Sequence, residues 1–167
     1  MPGAGKSFLG KKLADELNYT FYDLDEVIER AHKMNIPDIF SKYGQEFFRN
    51  EESRLLDELL NDKDDFVLST GGGAPCFHQN MEKINQKGLS IYLKVSISEL
   101  LSRVTRKKDK RPLFMGKSDE EIENFLEDMI KAREVFYHQA IITQEKDFSD
   151  VKEVLMKVRQ HLKEKSN

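Results

Sequence analysis

The runs "YTFYDLD", "FVLST", "LSIYLKV" and "AIIT" are separated by longer stretches whose apolar residues recur at helical spacing. Short, continuous apolar runs are the mark of strands covered on both faces, and their alternation with helices calls for right-handed crossovers between parallel strands. The chain is thereby restricted to an α/β fold, a parallel sheet in three layers. Leu9, Leu13 and Leu17 form one helical stripe, and Ile122, Phe125, Leu126, Met129 and Ile130 form a second. Val151, Val154, Leu155, Val158 and Leu162 form a third. Residues 26–60 read as mostly helical, with breaks near Ile36-Pro37 and at Gly44, and "ISELLSRV" predicts a further helix. "TRKKDKRPLFMGKS" has charge, Pro112 and Gly116 but no period, so residues 107–117 are expected to be a mobile lid. A length of 167 residues suits a single domain spanning residues 1–167.

Ligands of such sheets bind beyond the carboxyl ends of the strands, which places several polar features on one edge. "MPGAGKS" supplies the tail of the phosphate-loop pattern G-x-x-x-x-G-K-[ST], whose first glycine and preceding strand would lie before residue 1. Backbone N–H groups of Gly3, Ala4 and Gly5 would turn toward phosphate, Lys6 would reach the β and γ phosphates, and the Ser7 hydroxyl would hold magnesium. An ordinary glycine turn capping an amphipathic helix is the plainer reading. Asp23 and Asp25 would leave a strand on the same side, one toward a magnesium-bound water and one toward an acceptor hydroxyl. Alternatively they are a helix cap and a solvated acid.

Gly71, Gly72 and Gly73 after a buried strand would let a substrate approach bare backbone, or would simply make a turn. Arg49 in "FFRNEE" could aim its planar fork at a carboxylate, or pair within its helix with Glu46 or Glu52. Arg111 in the lid could close over the γ phosphate or the acceptor. Arg133, taken by itself, reads as a surface helix arginine.

A formal charge of -3 argues against general affinity for nucleic acid or acidic membranes. The single Cys76 can make no internal disulfide and suits a reducing compartment. No apolar run approaches the roughly 20 residues of a membrane span, and no signal-peptide pattern opens the chain. A cytoplasmic location is expected. His32, His78, His138 and His161 lack metal-ligand spacing, and nothing near Cys76 in sequence would make it a nucleophile.

Taken together, "PGAGKS", "YDLDEVIE", "FFRNEE", "LSTGGG", "KRPLF" and "REVFY" occur in an order and spacing that resemble the shikimate kinases, from Pro2 to about Ala140. The resemblance implies a P-loop nucleoside triphosphate hydrolase-like fold with five parallel strands, the first of them central. It also implies transfer of the γ phosphate of ATP to the 3-hydroxyl of shikimate, toward chorismate and the aromatic amino acids, with Mg2+ as cofactor. On this resemblance Lys6 takes the phosphates, Ser7 the metal, and Asp23 supports the metal from outside its direct ligands. Asp25 matches the acid at the acceptor hydroxyls, Arg49 and Arg133 the arginines on the shikimate carboxylate, and Gly71, Gly72 and Gly73 the pocket wall. Arg111 matches the lid arginine on the γ phosphate, and Arg103 the residue stacked on adenine.

Two departures stand out. Gln45 replaces a glutamate usual in the family, which alters the charge expected around Arg49. The first central strand is absent from the chain as given, so unpaired backbone and a gap beneath the phosphate loop are expected. A misassigned start codon, or numbering that begins within the gene, is the expected reason. ATP and shikimate are the expected partners of a monomer, with no nucleic acid and no membrane. A kinase for another small hydroxy acid such as gluconate, and a P-loop protein that binds nucleotide without catalysis, remain open alternatives.

Overall fold

The structure, a computed structural model, describes residues 1–62, 64–106, 112–145 and 151–165. In chain order the elements are α1 (Lys6–Leu17), β1 (Thr20–Asp23), α2 (Leu24–His32), α3 (Ile36–Leu60), β2 (Phe66–Ser69), α4 (Asn80–Lys87) and β3 (Ile91–Lys94). They continue with α5 (Ile97–Thr105), α6 (Asp119–Tyr137), β4 (Ile142–Glu145) and α7 (Val151–Lys165). Short 3-10 turns lie at Ala74–Cys76 and Pro112–Phe114. Residues 107–111 of the expected lid lie outside the described residues.

β1 and β2 pair in parallel, with Thr20 opposite Phe66 and Asp23 opposite Ser69. β3 and β4 pair in parallel, with Ile91 opposite Ile142. Among the described residues no ladder joins β2 to β3, so the expected sheet is present as two parallel pairs. A cleft of about 470 Å³ lies between them, lined by Val67 and Leu68 on one side and by Ile91 and Leu93 on the other. This is the gap that the sequence led us to expect beneath the phosphate loop.

The helices begin where local chemistry lets them. Ser118 caps α6, and Glu121 returns a bond to the Ser118 amide at 2.7 Å, a capping box that satisfies two orphan donors at once. Asn35 caps α3, whose first turn holds Pro37, and the helix kinks where Gly44 adopts φ 83, a left-handed conformation that glycine takes without steric cost. Both expected breaks between residues 26 and 60 are therefore real. α1 lies so close to β1 that a Cβ on Gly10 would stand 2.6 Å from the Phe21 ring.

Two apolar clusters hold these elements. One joins Leu9, Leu13, Leu93, Leu100, Leu126 and Val154, burying the stripes read from α1, α6 and α7. The other joins Leu24, Ile28, Ile39, Phe48 and Leu56 beneath α2 and α3. α4 had no apolar signature, because of its residues only Asn80 and Met81 are buried. Asn80 is held by polar contacts instead, accepting from Ser53 Oγ at 2.7 Å and donating to the Ala74 carbonyl at 2.9 Å. The last strand lies further along than "AIIT" suggested, since the buried Gln144 is accommodated by a 2.7 Å bond from Lys157 Nζ rather than by apolar packing.

Candidate active site

The first turn of α1 is set by backbone conformation. Gly3 and Gly5 have φ of 80 and 89, and Gly5 stands at the N-cap of α1. Lys6 Nζ donates to the Met1 carbonyl at 3.1 Å, across the turn of the loop. Ser7 Oγ donates to Asp23 Oδ2 at 2.6 Å and lies 3.4 Å from Ser69 Oγ, so α1, β1 and β2 bring three side-chain oxygens together. Hard oxygen donors with a single carboxylate are what Mg2+ takes alongside phosphate and water. Ser7 and Asp23 thus fit the ion chemically.

Asp23 and Asp25 do not share a strand face. β1 ends at Asp23, which caps α2 by accepting the Asp25 amide at 3.1 Å, while Asp25 occupies the first turn of that helix. The helix start still points both acids into one region. The plainer reading was right about the cap and wrong about solvation: burial is the main cause that raises the Asp25 carboxyl above its ordinary range. Asp23 adds to the shift, while Lys6 and Arg49 oppose it.

Arg49 projects from α3 between two rings, its guanidinium 5.0 Å from the Phe48 centroid and 4.5 Å from that of Phe77. It pairs with the buried Glu52 three residues on, as the alternative reading proposed. Pairing and ligand binding are compatible here, because Arg49 Nε is buried without a hydrogen-bond partner among the described residues. A buried donor left unpaired is costly, and an incoming carboxylate would satisfy it. Burial raises the Glu52 carboxyl against the opposing pull of Arg49. Gln45 is exposed, and the carboxylate paired with Arg49 is that of Glu52.

The three glycines bring the acceptor side together. A Cβ at Gly71 would stand 2.9 Å from Asp25 Oδ1 and 3.1 Å from Glu52 Oε1. One at Gly73 would meet the Arg49 guanidinium at 2.7 Å, and one at Gly72 would lie 3.6 Å from Arg133 Nη1 and 3.4 Å from the Met1 nitrogen. Asp25, Arg49 and Arg133 therefore surround one bare backbone segment. Tyr137, one helical turn beyond Arg133, donates to the Gly72 carbonyl at 2.5 Å and ties α6 to that segment. Burial pushes the Tyr137 phenol up to about 12, which keeps it a donor.

Arg103, in the last turn of α5, pairs with Glu99 and donates to the carbonyls of Gly3 and Ala4 at 3.4 Å each. It stands beside the phosphate loop. Arg111 lies outside the described residues. Burial raises the Cys76 thiol, consistent with a residue that is no nucleophile. Sequence reasoning gave Glu52 only as a pairing partner and did not single out Tyr137 or Phe77. The spacing of Glu52 from Arg49 was visible, but its burial was not.

Comparisons with known proteins converge on one family. The family model described as shikimate kinase matches residues 2–163. A shikimate kinase of Azobacteroides pseudotrichonymphae is 45% identical over 140 residues, 84% of this chain and 82% of the relative. One of Parabacteroides distasonis is 40% identical over 163 residues, 93% of this chain and 94% of the relative. Among solved structures, the shikimate kinase of Bacteroides thetaiotaomicron superposes with a TM-score of 0.87 at 34% identity, covering 96% of this chain and 93% of that one. The shikimate kinase of Acinetobacter baumannii in complex with shikimate gives a TM-score of 0.83 at 35% identity, covering 98% and 89%.

Proposed function

Because the chain belongs to the shikimate kinase family, we propose that its site transfers the γ phosphate of ATP to the 3-hydroxyl of shikimate, and that the residues just described do so in the following roles. The enzyme is an ATP-dependent kinase with the P-loop α/β fold of its structural neighbours, serving aromatic amino acid biosynthesis. The observation that carries the site assignment is the convergence of Asp25, Arg49 and Arg133 on Gly71, Gly72 and Gly73.

In-line phosphoryl transfer needs alignment and positive charge more than a covalent catalyst. Arg49 and Arg133 hold the acceptor's carboxylate, and the glycine backbone lets its ring lie close. Asp25 orients the 3-hydroxyl; as that oxygen bonds to the γ phosphorus and the bond to the bridging oxygen breaks, Asp25 takes the proton and ADP leaves. Lys6 supplies charge to the β and γ phosphates from the start of α1. Mg2+, held by Ser7 with Asp23 behind it, would neutralise charge on the phosphates when bound. Arg103 flanks the nucleotide side, and Arg111, from a lid at residues 107–117 of the single kinase domain, adds charge at the γ phosphate. We also place the enzyme in the cytoplasm as a monomer, on the strength of its composition and the unpaired thiol of Cys76.

A coupled assay of ADP release tests the reading. Turnover should depend on shikimate and on Mg2+. ADP release that is equal with gluconate, or independent of any acceptor, would refute the acceptor assignment; nucleotide binding without turnover would favour a binding protein.

A further inference from the structure

The two rings beside Arg49 are not equivalent. Phe48 is 3% exposed and belongs to the apolar cluster beneath α2 and α3, so packing alone accounts for it. Phe77 is half-buried and belongs to neither apolar cluster among the described residues, yet its ring centroid lies nearer the guanidinium, at 4.5 Å against 5.0 Å. The backbone that follows it is strained. His78 and Gln79 have φ of 50 and 58, two successive left-handed residues that are not glycine. Such conformations persist only where the surroundings over-determine them, and they collect at ligand clamps. We infer that Phe77 is a positioning residue for the acceptor: its ring holds the Arg49 guanidinium in the orientation that meets a planar carboxylate. The inference rests on the kinase reading of the site.

The loop that carries the ring is pinned at both ends. The Cys76 amide donates to the Gly73 carbonyl at 2.9 Å, and the Asn80 amide donates to the Phe77 carbonyl at 2.9 Å. The buried Asn80 side chain donates to the Ala74 carbonyl at 2.9 Å and accepts from Ser53 Oγ at 2.7 Å, which fastens the loop to α3 one turn beyond Arg49. Phe77 therefore meets the guanidinium from a separate, anchored element, whereas Phe48 moves with Arg49 on the same helix. A guanidinium is weakly hydrated and stacks on aromatic faces. Stacking takes up its flat side and leaves its edge of N–H groups for partners. Glu52 occupies Nη1, and the buried Nε has no hydrogen-bond partner among the described residues. Holding so long a side chain in place before the ligand arrives removes its ordering cost from binding.

Steady-state kinetics of the 167-residue chain test the inference, with the shikimate-dependent rate of the unsubstituted protein measured first. Phe77→Ala should raise the KM for shikimate by about 3–30-fold, the range of a partly to fully desolvated cation–π contact, while kcat and the KM for ATP stay within about twofold. Phe77→Leu keeps the bulk but has no ring face, and should raise the same KM. Phe77→Tyr keeps the face and should return it to within about twofold of the unsubstituted protein. In the Arg49→Ala background, Phe77→Ala should add less than about twofold, because a residue that acts through Arg49 has nothing left to position. Additive effects in that double variant, a normal KM for shikimate in Phe77→Leu, a raised one in Phe77→Tyr, or equal rises for shikimate and ATP would each overturn the inference. If a thermal scan shows that Phe77→Ala does not fold, Phe77→Leu and Phe77→Tyr carry the test. Any of these results with shikimate-dependent turnover intact in the unsubstituted protein defeats this inference alone. Absence of that turnover defeats the kinase reading, and the role of Phe77 with it.

Discussion

On the acceptor side, Arg49 is sandwiched by Phe48 and Phe77 and paired with the buried Glu52, and the Gly72 carbonyl is fastened to Tyr137. On the phosphate side, Lys6 and Arg103 lean on carbonyls of the loop itself, at 3.1 and 3.4 Å, above a cleft rather than a continuous sheet. The first region is packed against the cluster of Leu24, Ile28 and Phe48 before any ligand arrives. The second takes its shape from the positive φ of Gly3 and Gly5. The difference teaches that Arg49 spends its charge on the buried Glu52 as well as on a ligand, so its loss affects binding and stability together. Losses in the phosphate half should affect chemistry and leave the fold alone.

Lys6→Ala puts that contrast under the greatest strain. It should lower kcat by about 10²–10³, the scale of removing one charge-stabilising donor, with the thermal midpoint nearly unchanged. Near-normal turnover would break the comparison at once. Next comes Arg49→Ala, which should raise the KM for shikimate by about 10–150-fold, from loss of charge-assisted bonds worth roughly 1.5–3 kcal/mol, while the KM for ATP stays put. It should also cost about 3–5 kcal/mol of stability by leaving Glu52 buried without its partner. Arg133→Ala should show a KM effect of similar kind without the stability loss, and a thermal scan separates the two.

The pH profile offers a smaller shift. Asp25 must be ionised to orient and accept a proton, and its pKa is raised by burial and Asp23, so activity should fall as pH drops through a value above the ordinary carboxylate figure of about 3.9. Since Arg49 lowers that pKa, Arg49→Ala should move the acid limb of kcat/KM higher still. A limb that stays fixed would uncouple the two residues. The smallest effect is expected for Gln45→Glu, an exposed position, where KM for shikimate should stay within about twofold.

Most elements were legible because their signals are local. The helical stripes of α1, α6 and α7 and the glycine punctuation at Gly44 and after β2 depend on neighbours in sequence, and they appear where expected. The charged site residues were legible for a different reason, because their motifs taken together resemble those of the shikimate kinases; by itself Arg133 read as a surface helix arginine. Burial is not local, and the misreadings follow from that. Asp25 is shielded by α2's start and the glycine wall, Glu52 by Gly71 and Arg49, and α4 by a polar network through Asn80 that leaves no apolar period. Arg111 belongs to the stretch outside the described residues, so its role rests on resemblance.

Gly73 carries a consequence for inhibitor design. With the Arg49 guanidinium 2.7 Å from where a Cβ would stand, no side chain can be added at that position without displacing the arginine. A compound that fills the acceptor half by mimicking the carboxylate would therefore leave few escape mutations at Gly71 and Gly73, because a side chain at either would also disturb Asp25 or Arg49 and weaken the grip on shikimate.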